Sequence, residues 1–131
     1  LTPLHWAASF NRNPAVLEVL IAGGADFSAR DENGLTPLHW AAQFNQNPAV
    51  LEALIAAGAD VRARDLTGFT PLHQAAQRNQ NPAVLEALIA AGADITARTD
   101  RGKLPFDLAE EANENIKGTN VYWKLNEGRF K

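Results

Sequence analysis

A 34-residue unit recurs three times without a gap in this chain of 131 residues, and this repetition restricts the fold more than any other feature. The copies span residues 2–35, 36–69 and 70–103, and the second and third agree at 26 of 34 positions. Residues 104–131 begin like a fourth copy and then diverge. Because one copy cannot bury its apolar face alone, neighbouring copies must stack. The pattern predicts a single repeat domain over residues 1–131 that ends in a capping repeat.

Each copy is predicted to form two helices followed by an extended loop. In the second copy, Thr36 and Asn47 each precede a proline, which is the pattern of a helix N-cap followed by the first helical residue. Apolar residues recur at helical spacing after both, and Gly58 supplies the positive φ that ends the second helix. We expect Asn45 to end the first helix in a left-handed conformation. Residues 65–68 then give a turn signal between two short extended pieces.

Four landmarks recur in fixed order in every copy. They are TPLH followed by AA, a Leu-rich second helix, GAD, and a four-residue turn that ends in Gly. With these landmarks the chain resembles the ankyrin repeat family, strongly over residues 1–103 and more weakly in the tail. The resemblance implies an all-α repeat solenoid of stacked helix-turn-helix repeats with short β-hairpin loops. The usual period is about 33 residues. The extra residue lies in the loop between the helices, and this 34-residue variant is similar to ankyrin arrays of bacteria.

The two ends of the chain differ from the internal copies. Asp107 and Glu110 stand where the other copies have His and Ala, and a charge at a stacking position indicates a capping repeat. We expect three residues to give the second helix of the cap its apolar cover: Tyr122, Trp123 and Leu125. The first copy has no polar outer face. We therefore expect another repeat or a cap to precede it in the natural protein, with the alternative that the chain was cut there.

Composition excludes several classes of function. Twelve basic and 15 acidic residues give a net charge of −3 without a basic run, which argues against nucleic acid or an anionic membrane as a partner. The longest apolar run is far shorter than the ~20 residues that a transmembrane helix needs. The absence of Cys removes disulfides, thiolate nucleophiles and Cys-ligated zinc. We expect no cofactor and a monomer. The compartment stays open between cytoplasmic and exported, including a host-directed bacterial protein.

The repeated polar residues are predicted to be structural rather than catalytic or metal-binding. One His falls in each copy, and packed helices lie about 8–10 Å apart, so the three rings cannot share a metal that needs ligands at ~2 Å. We expect each imidazole to form a hydrogen bond near its own Thr. Catalysis needs different groups at one point, whereas a repeat presents one group along a line, so we predict no enzyme activity and no metal site. The residues concerned are His5, His39 and His73, the local Asp26, Asp31, Asp60, Asp65 and Asp94, and the solvated Glu110, Glu111 and Glu114.

Positions that differ between near-identical copies are not required by the fold, and they concentrate in the turn and on one face of the first helix. Trp40 and Phe44 lie about 200° and 240° around the helix axis from the core residue Leu38, and they touch as an i, i+4 pair. By the resemblance, this helix face and the hairpin tips line a concave recognition surface. The predicted partner-binding residues are Trp6, Phe10, Leu35, Trp40, Gln43, Phe44, Leu66, Phe69, Gln74, Gln77, Arg78, Arg101 and Lys103.

These residues predict a non-catalytic protein–protein interaction module that binds a protein partner along the concave face and hairpin tips. Exposed Trp and Phe are typical of binding hot spots. The competing interpretation of the rings is packing against neighbouring hairpins or a missing repeat. Two other functions stay open: a regulatory or substrate-presenting segment of a longer enzyme, and a consensus-type scaffold.

Overall fold

The protein, described over residues 1–131 by a computed structural model, consists of four helix pairs and contains no β-strand. The first helices of the pairs are α1 (Pro3–Phe10), α3 (Pro37–Phe44), α5 (Pro71–Arg78) and α7 (Pro105–Ala112). The second helices are α2 (Pro14–Ala22), α4 (Pro48–Ala56), α6 (Pro82–Ala90) and α8 (Asn120–Asn126), and a 3₁₀ turn over Glu127–Phe130 follows α8. Each helix packs on its equivalent in the next repeat, which confirms the all-α repeat solenoid. No helix has both the length and the apolar character needed to cross a membrane.

A Thr–His pair starts the first helix of each full repeat. The Thr36 N–H donates to His39 Nδ1 (3.2 Å), and the His39 N–H donates to Thr36 Oγ1 (3.3 Å). Since Nδ1 accepts, the proton of the neutral ring is on Nε2, which donates to the Phe69 carbonyl at 2.9 Å. His5 and His73 form the same bonds. The predicted hydrogen bond near Thr is confirmed, and the imidazole also ties each helix to the turn that ends its own repeat.

Asn45 does not take the left-handed conformation expected of it. Its backbone is extended (φ −92°, ψ 120°), and no residue other than Gly has a positive φ. The side chain serves another purpose: Nδ2 donates to the carbonyls of Ala8 (2.9 Å) and Asn11 (2.8 Å) in the preceding repeat, while Oδ1 accepts from the Asn47 N–H at 2.9 Å. Asn79 and Asn113 repeat the two bonds to the preceding repeat. The expectation was wrong because Asn45 keeps an extended backbone, from which its side-chain amide satisfies two carbonyls at the C-terminus of the preceding first helix.

The loops after the second helices contain turns but no paired strands, so the expected β-hairpins are reduced to their tips. The Asp65 N–H donates to the Phe69 carbonyl (2.9 Å), while Asp65 Oδ1 accepts from the N–H groups of Thr67 and Phe69. Gly68 closes the turn with a φ of 82°. Successive turns are joined by a bond of 3.1 Å from the Leu66 N–H to the Asn33 carbonyl. The Asp65 carboxylate thus accepts hydrogen bonds from N–H groups that could otherwise pair with a neighbouring strand.

The core is a continuous layer of Leu and Ala between the two helix stacks. Leu38, Leu51 and Leu54 are fully buried, and so are Ala41 and Ala42, whose small side chains allow neighbouring repeats to approach closely. Each Leu contributes about 1.5–3 kcal/mol when removed from water. The core is shared between repeats, and its continuity explains why the copies cannot be stable singly.

The terminal repeat closes the stack with a changed set of contacts. Asp107 Oδ2 accepts from the Leu104 N–H at 2.8 Å, as His does in the other repeats. In α8, Val121, Tyr122 and Leu125 are buried, whereas Trp123 is exposed. The prediction that Trp123 covers the cap was therefore wrong. Buried positions at i, i+1 and i+4 form one helix face, and Trp123 at i+2 lies on the opposite side.

The first repeat exposes, on its leading side, a surface that the later repeats bury. Val16 of α2 is 39% exposed, whereas the equivalent Val50 and Val84 are 0% exposed. Asn45 and Asn79 each donate to two carbonyls of the preceding repeat, and the side-chain amide of Asn11 forms neither bond. The contacts that bury this position in the later repeats are therefore supplied by the repeat that precedes each of them.

Candidate protein-binding surface

Stacking places equivalent residues of successive repeats in rows along one side of the molecule. This side, called the first-helix face below, consists of the outward residues of α1, α3, α5 and α7 together with the neighbouring turns. One row holds Trp6, Trp40 and Gln74, and a second holds Phe10, Phe44 and Arg78. The turns add Leu35, Phe69 and Lys103 at equivalent positions. Because the frame repeats, differences along each row change the chemistry of the surface while the backbone stays the same.

Four predicted residues form one continuous aromatic cluster, which consists of Trp6, Phe10, Trp40 and Phe44. Ring centroids are 5.6 Å apart for Trp6 and Phe10, 5.8 Å for Phe10 and Phe44, and 5.5 Å for Trp40 and Phe44. Trp6, Phe10 and Phe44 are 54%, 59% and 41% exposed, and Trp40 is half-buried. The contact between Phe10 and Phe44 crosses from one repeat to the next. The cluster is therefore an apolar patch of the surface rather than part of the core.

Trp40 is held in place by two groups from the first repeat. Its indole N–H donates to Asp31 Oδ2 at 2.9 Å, and its ring meets the edge of the His5 ring with centroids 6.5 Å apart. Partial burial tends to raise the pKa of Asp31, but hydrogen bonds from the Leu35 N–H, the Trp40 indole and a further backbone N–H outweigh it and keep the pKa below the ordinary value. Asp31 is thus an ionised acceptor that fixes the orientation of the indole.

Gln74 contributes very little accessible surface. It is only 7% exposed, and its Nε2 lies 3.5 Å from Asp65 Oδ2, in the place of the Trp40–Asp31 bond. Of the predicted partner-binding residues, Gln74 therefore offers a partner only a small edge of its side chain. The shorter side chain stays within the stack, whereas the larger indole at the same position in the other repeats reaches the surface.

The third repeat contributes a polar part of the first-helix face. An open depression of about 370 Å³ lies between α5, α7 and two turns. It is lined by Thr67, Phe69, Gln77, Thr99, Asp100, Arg101, Lys103, Leu108 and Glu111. Phe69 is half-buried beside His73, with ring centroids 5.7 Å apart, and belongs to this depression rather than to the aromatic cluster. Sequence reasoning missed Leu108, which occupies the position of Gln74 in the terminal repeat.

A second depression, of about 310 Å³, lies beside the first and shares Thr67, Phe69 and Gln77 with it. Its lining includes the predicted residues Leu35, Gln43, Leu66, Phe69, Gln74, Gln77 and Arg78. Leu66 is exposed at the tip of its turn, while Leu35, Gln43 and Gln77 are half-buried. The structure thus brings seven of the predicted residues, from three successive repeats, to one groove.

The charged residues of this face are not all neutralised. Lys103 Nζ pairs with Glu111 Oε1, and this hydrogen bond is the main reason why the pKa of Lys103 is raised. Arg78 and Arg101 are exposed, and neither has a carboxylate within 4.0 Å. Two unpaired cations therefore lie on this face of a chain whose net charge is −3.

Glu110, Glu111 and Glu114 of the cap each have a separate partner. Tyr122 donates its hydroxyl to Glu110, a bond that is the main cause of the raised pKa of Tyr122. Glu111 pairs with Lys103, and Glu114 with Lys117 at 3.1 Å. No group of three or more His, Asp or Glu side chains lies close enough to hold a metal ion. The cluster is therefore an array of local pairs on the outside of the cap.

Comparison with known proteins identifies the repeat. The family model described as ankyrin repeats matches residues 2–99 as three copies. These residues include α1 to α6 and the turns between them, which is most of the first-helix face. No curated protein matches the chain. Proteins with this repeat are generally protein–protein interaction modules and are typically non-catalytic.

Proposed function

Because the chain belongs to the ankyrin repeat family, whose members generally bind other proteins, we propose that it is a non-catalytic module that binds a protein partner on its first-helix face. The aromatic cluster is the observation that carries this proposal. Large rigid aromatic side chains bury much area at little cost in entropy, which is why they dominate protein-binding hot spots. Three of the four rings are more than a third exposed, so their apolar area is available to a partner.

The third repeat supports the proposal because it shows that the fold does not require the rings. Gln74 and Arg78 replace Trp and Phe there, yet α5 has the same length and the same Thr cap as α3. Residues that are dispensable for folding and that place apolar area in water are best explained by binding.

The fixed orientation of Trp40 supports the same function. A ring that is already held by Asp31 and His5 loses little conformational freedom when a partner covers it. The rest of the cluster is ordered by ring contacts across two repeats. The surface is therefore preorganised for association.

The test is a variant that copies the third repeat into the second, Trp40→Gln with Phe44→Arg. We expect partner recovery in a quantitative pull-down from a cell lysate to fall at least tenfold, because hot-spot residues each contribute about 2 kcal/mol or more. The free energy of unfolding should change by only about 1 kcal/mol, because Phe44 is exposed and a Gln in place of Trp40 can face Asp31 as Gln74 faces Asp65.

Trp123→Gln is the matched control, since it removes another exposed aromatic residue that lies on the cap, outside this face. The control should recover the same partner as the wild type. A loss of several kcal/mol in the double variant would show that the rings are core residues, and equal partner recovery would reject the proposed surface.

A further inference from the structure

The first-helix face changes from aromatic to cationic over one repeat, and this change specifies the chemistry of its partner. We propose that the partner presents a large apolar side chain to the aromatic cluster and, about 10 Å away, a carboxylate to Arg78. The inference rests on the proposed function, because it concerns the ligand of the same surface.

The position of Arg78 gives the spacing. Arg78 occupies in α5 the place that Phe44 occupies in α3 and Phe10 in α1. Equivalent helices of neighbouring repeats pack against each other, and packed helices are about 8–10 Å apart. A partner that lies across the repeats therefore meets a ring and then a guanidinium group at that interval. The interval corresponds to about three residues of an extended segment or about seven of a helix.

Charge complementarity indicates a carboxylate at the second position. Arg78 has no carboxylate within 4.0 Å, so its charge is available, and Arg101 is unpaired in the neighbouring turn. The one acidic residue that lines the second depression, Asp65, already accepts backbone N–H groups of its own turn. An arginine without a partner can form a bidentate pair with a carboxylate.

A third depression lies between Phe44 and Arg78, and no Asp or Glu that would repel a carboxylate lines it. It has a volume of about 180 Å³ and is lined by Gln43, Phe44, Gln46, Arg78, Asn79 and Gln80. Side-chain amides both donate and accept, so they accommodate the polar backbone of a bound segment. Arg78 and Arg101 both lack a carboxylate partner on this face, so their charges attract an acidic segment to it.

The experiment selects ligands from a phage-displayed library of random 16-residue peptides on the immobilised full chain. We expect peptides that combine Trp, Phe, Leu or Ile with Asp or Glu at a spacing of three or seven positions. A synthetic copy of a selected peptide should bind Arg78→Glu at least about tenfold more weakly than the wild type at physiological salt. The same peptide with Lys in place of the carboxylate should prefer Arg78→Glu to the wild type.

The variants separate this inference from the proposed function. Trp123→Gln should bind the selected peptide as the wild type does. If Trp40→Gln with Phe44→Arg abolishes binding but Arg78→Glu leaves it unchanged, the carboxylate inference is wrong and the binding surface stands. If neither variant weakens binding, both are wrong. Enrichment of basic peptides would overturn the inference alone, and a library without any enriched peptide would count against both.

Discussion

At the scale of single residues, the His of each repeat has its hydrogen-bonding capacity fully used by backbone and Thr. His39 accepts at Nδ1 from its own N-cap and donates at Nε2 to a carbonyl 30 residues further along the chain. A proton on Nδ1 would face the N–H donor of Thr36, so the arrangement requires the neutral ring. Burial is the main cause that lowers the pKa of His39 and of His73.

We expect the free energy of unfolding to fall between pH 7.5 and pH 5.5. The folded-state pKa of His39 and His73 lies below the unfolded value of about 6.5, so the unfolded chain binds more protons as the pH decreases. The stabilisation is complete above the unfolded pKa and is lost as the pH falls towards the folded pKa. Urea unfolding at several pH values measures this, and His39→Gln should reduce the slope. An unchanged slope in that variant would exclude His39 as its source.

At the scale of secondary-structure elements, an Asn after each first helix fastens one repeat to the previous one. The Asn79 amide donates to the carbonyls of Ala42 (2.9 Å) and Asn45 (3.0 Å), which lie in and just after α3. The pair of bonds satisfies carbonyls at a helix C-terminus that would otherwise be buried without a partner. This ladder couples neighbouring helices in addition to the apolar contacts between them.

Asn79→Ala should lower the free energy of unfolding by about 3 kcal/mol, because it leaves two buried carbonyls unsatisfied at about 1–3 kcal/mol each. Asn11→Ala is the matched control, since the side chain of Asn11 accepts from the Asn13 N–H but forms neither of the two inter-repeat bonds. Chemical denaturation of both variants gives the comparison. Equal losses would show that the inter-repeat bonds contribute nothing beyond the local bond of each Asn.

At the scale of the whole molecule, the first and the terminal repeats present different outer surfaces. The cap presents paired carboxylates, including Glu110 and Glu111, outside α7. The leading side of α1 and α2 instead exposes Val16 and Val19 together with the amide of Asn11. The equivalents of Val16 inside the stack, Val50 and Val84, are fully buried, so this side of the first repeat has the chemistry of a surface between repeats.

Inserting a copy of residues 2–35 between Leu1 and Thr2 should therefore raise the free energy of unfolding by several kcal/mol. The added repeat would bury Val16 as Val50 is buried, and a buried Val contributes about 1.5–3 kcal/mol. In the longer chain, Asn11→Ala should become as costly as Asn79→Ala. Urea unfolding measures both effects. A separate unfolding transition for the added repeat would show that the two surfaces do not fit.

The sequence by itself determined what depends on the period and on local chemistry. The 34-residue repeat predicted the stacked helix pairs, and Thr-Pro and Asn-Pro marked where the helices begin. The hydrogen bond of His39 near Thr36 followed in the same way, since its partners are three residues apart. The outward position of Trp40 and Phe44 on α3 also followed from helical geometry within a single element.

Tertiary structure alone decided what joins one repeat to the next. The contact of Phe10 with Phe44, the bond from Asn45 to Asn11 and the burial of Gln74 each depend on how neighbouring repeats are offset. A period gives the distance between copies along the chain, but not the rotation and shift between their helices in space. For that reason the sequence offered candidate residues for the surface, whereas only the packed stack showed which of them meet and which are covered.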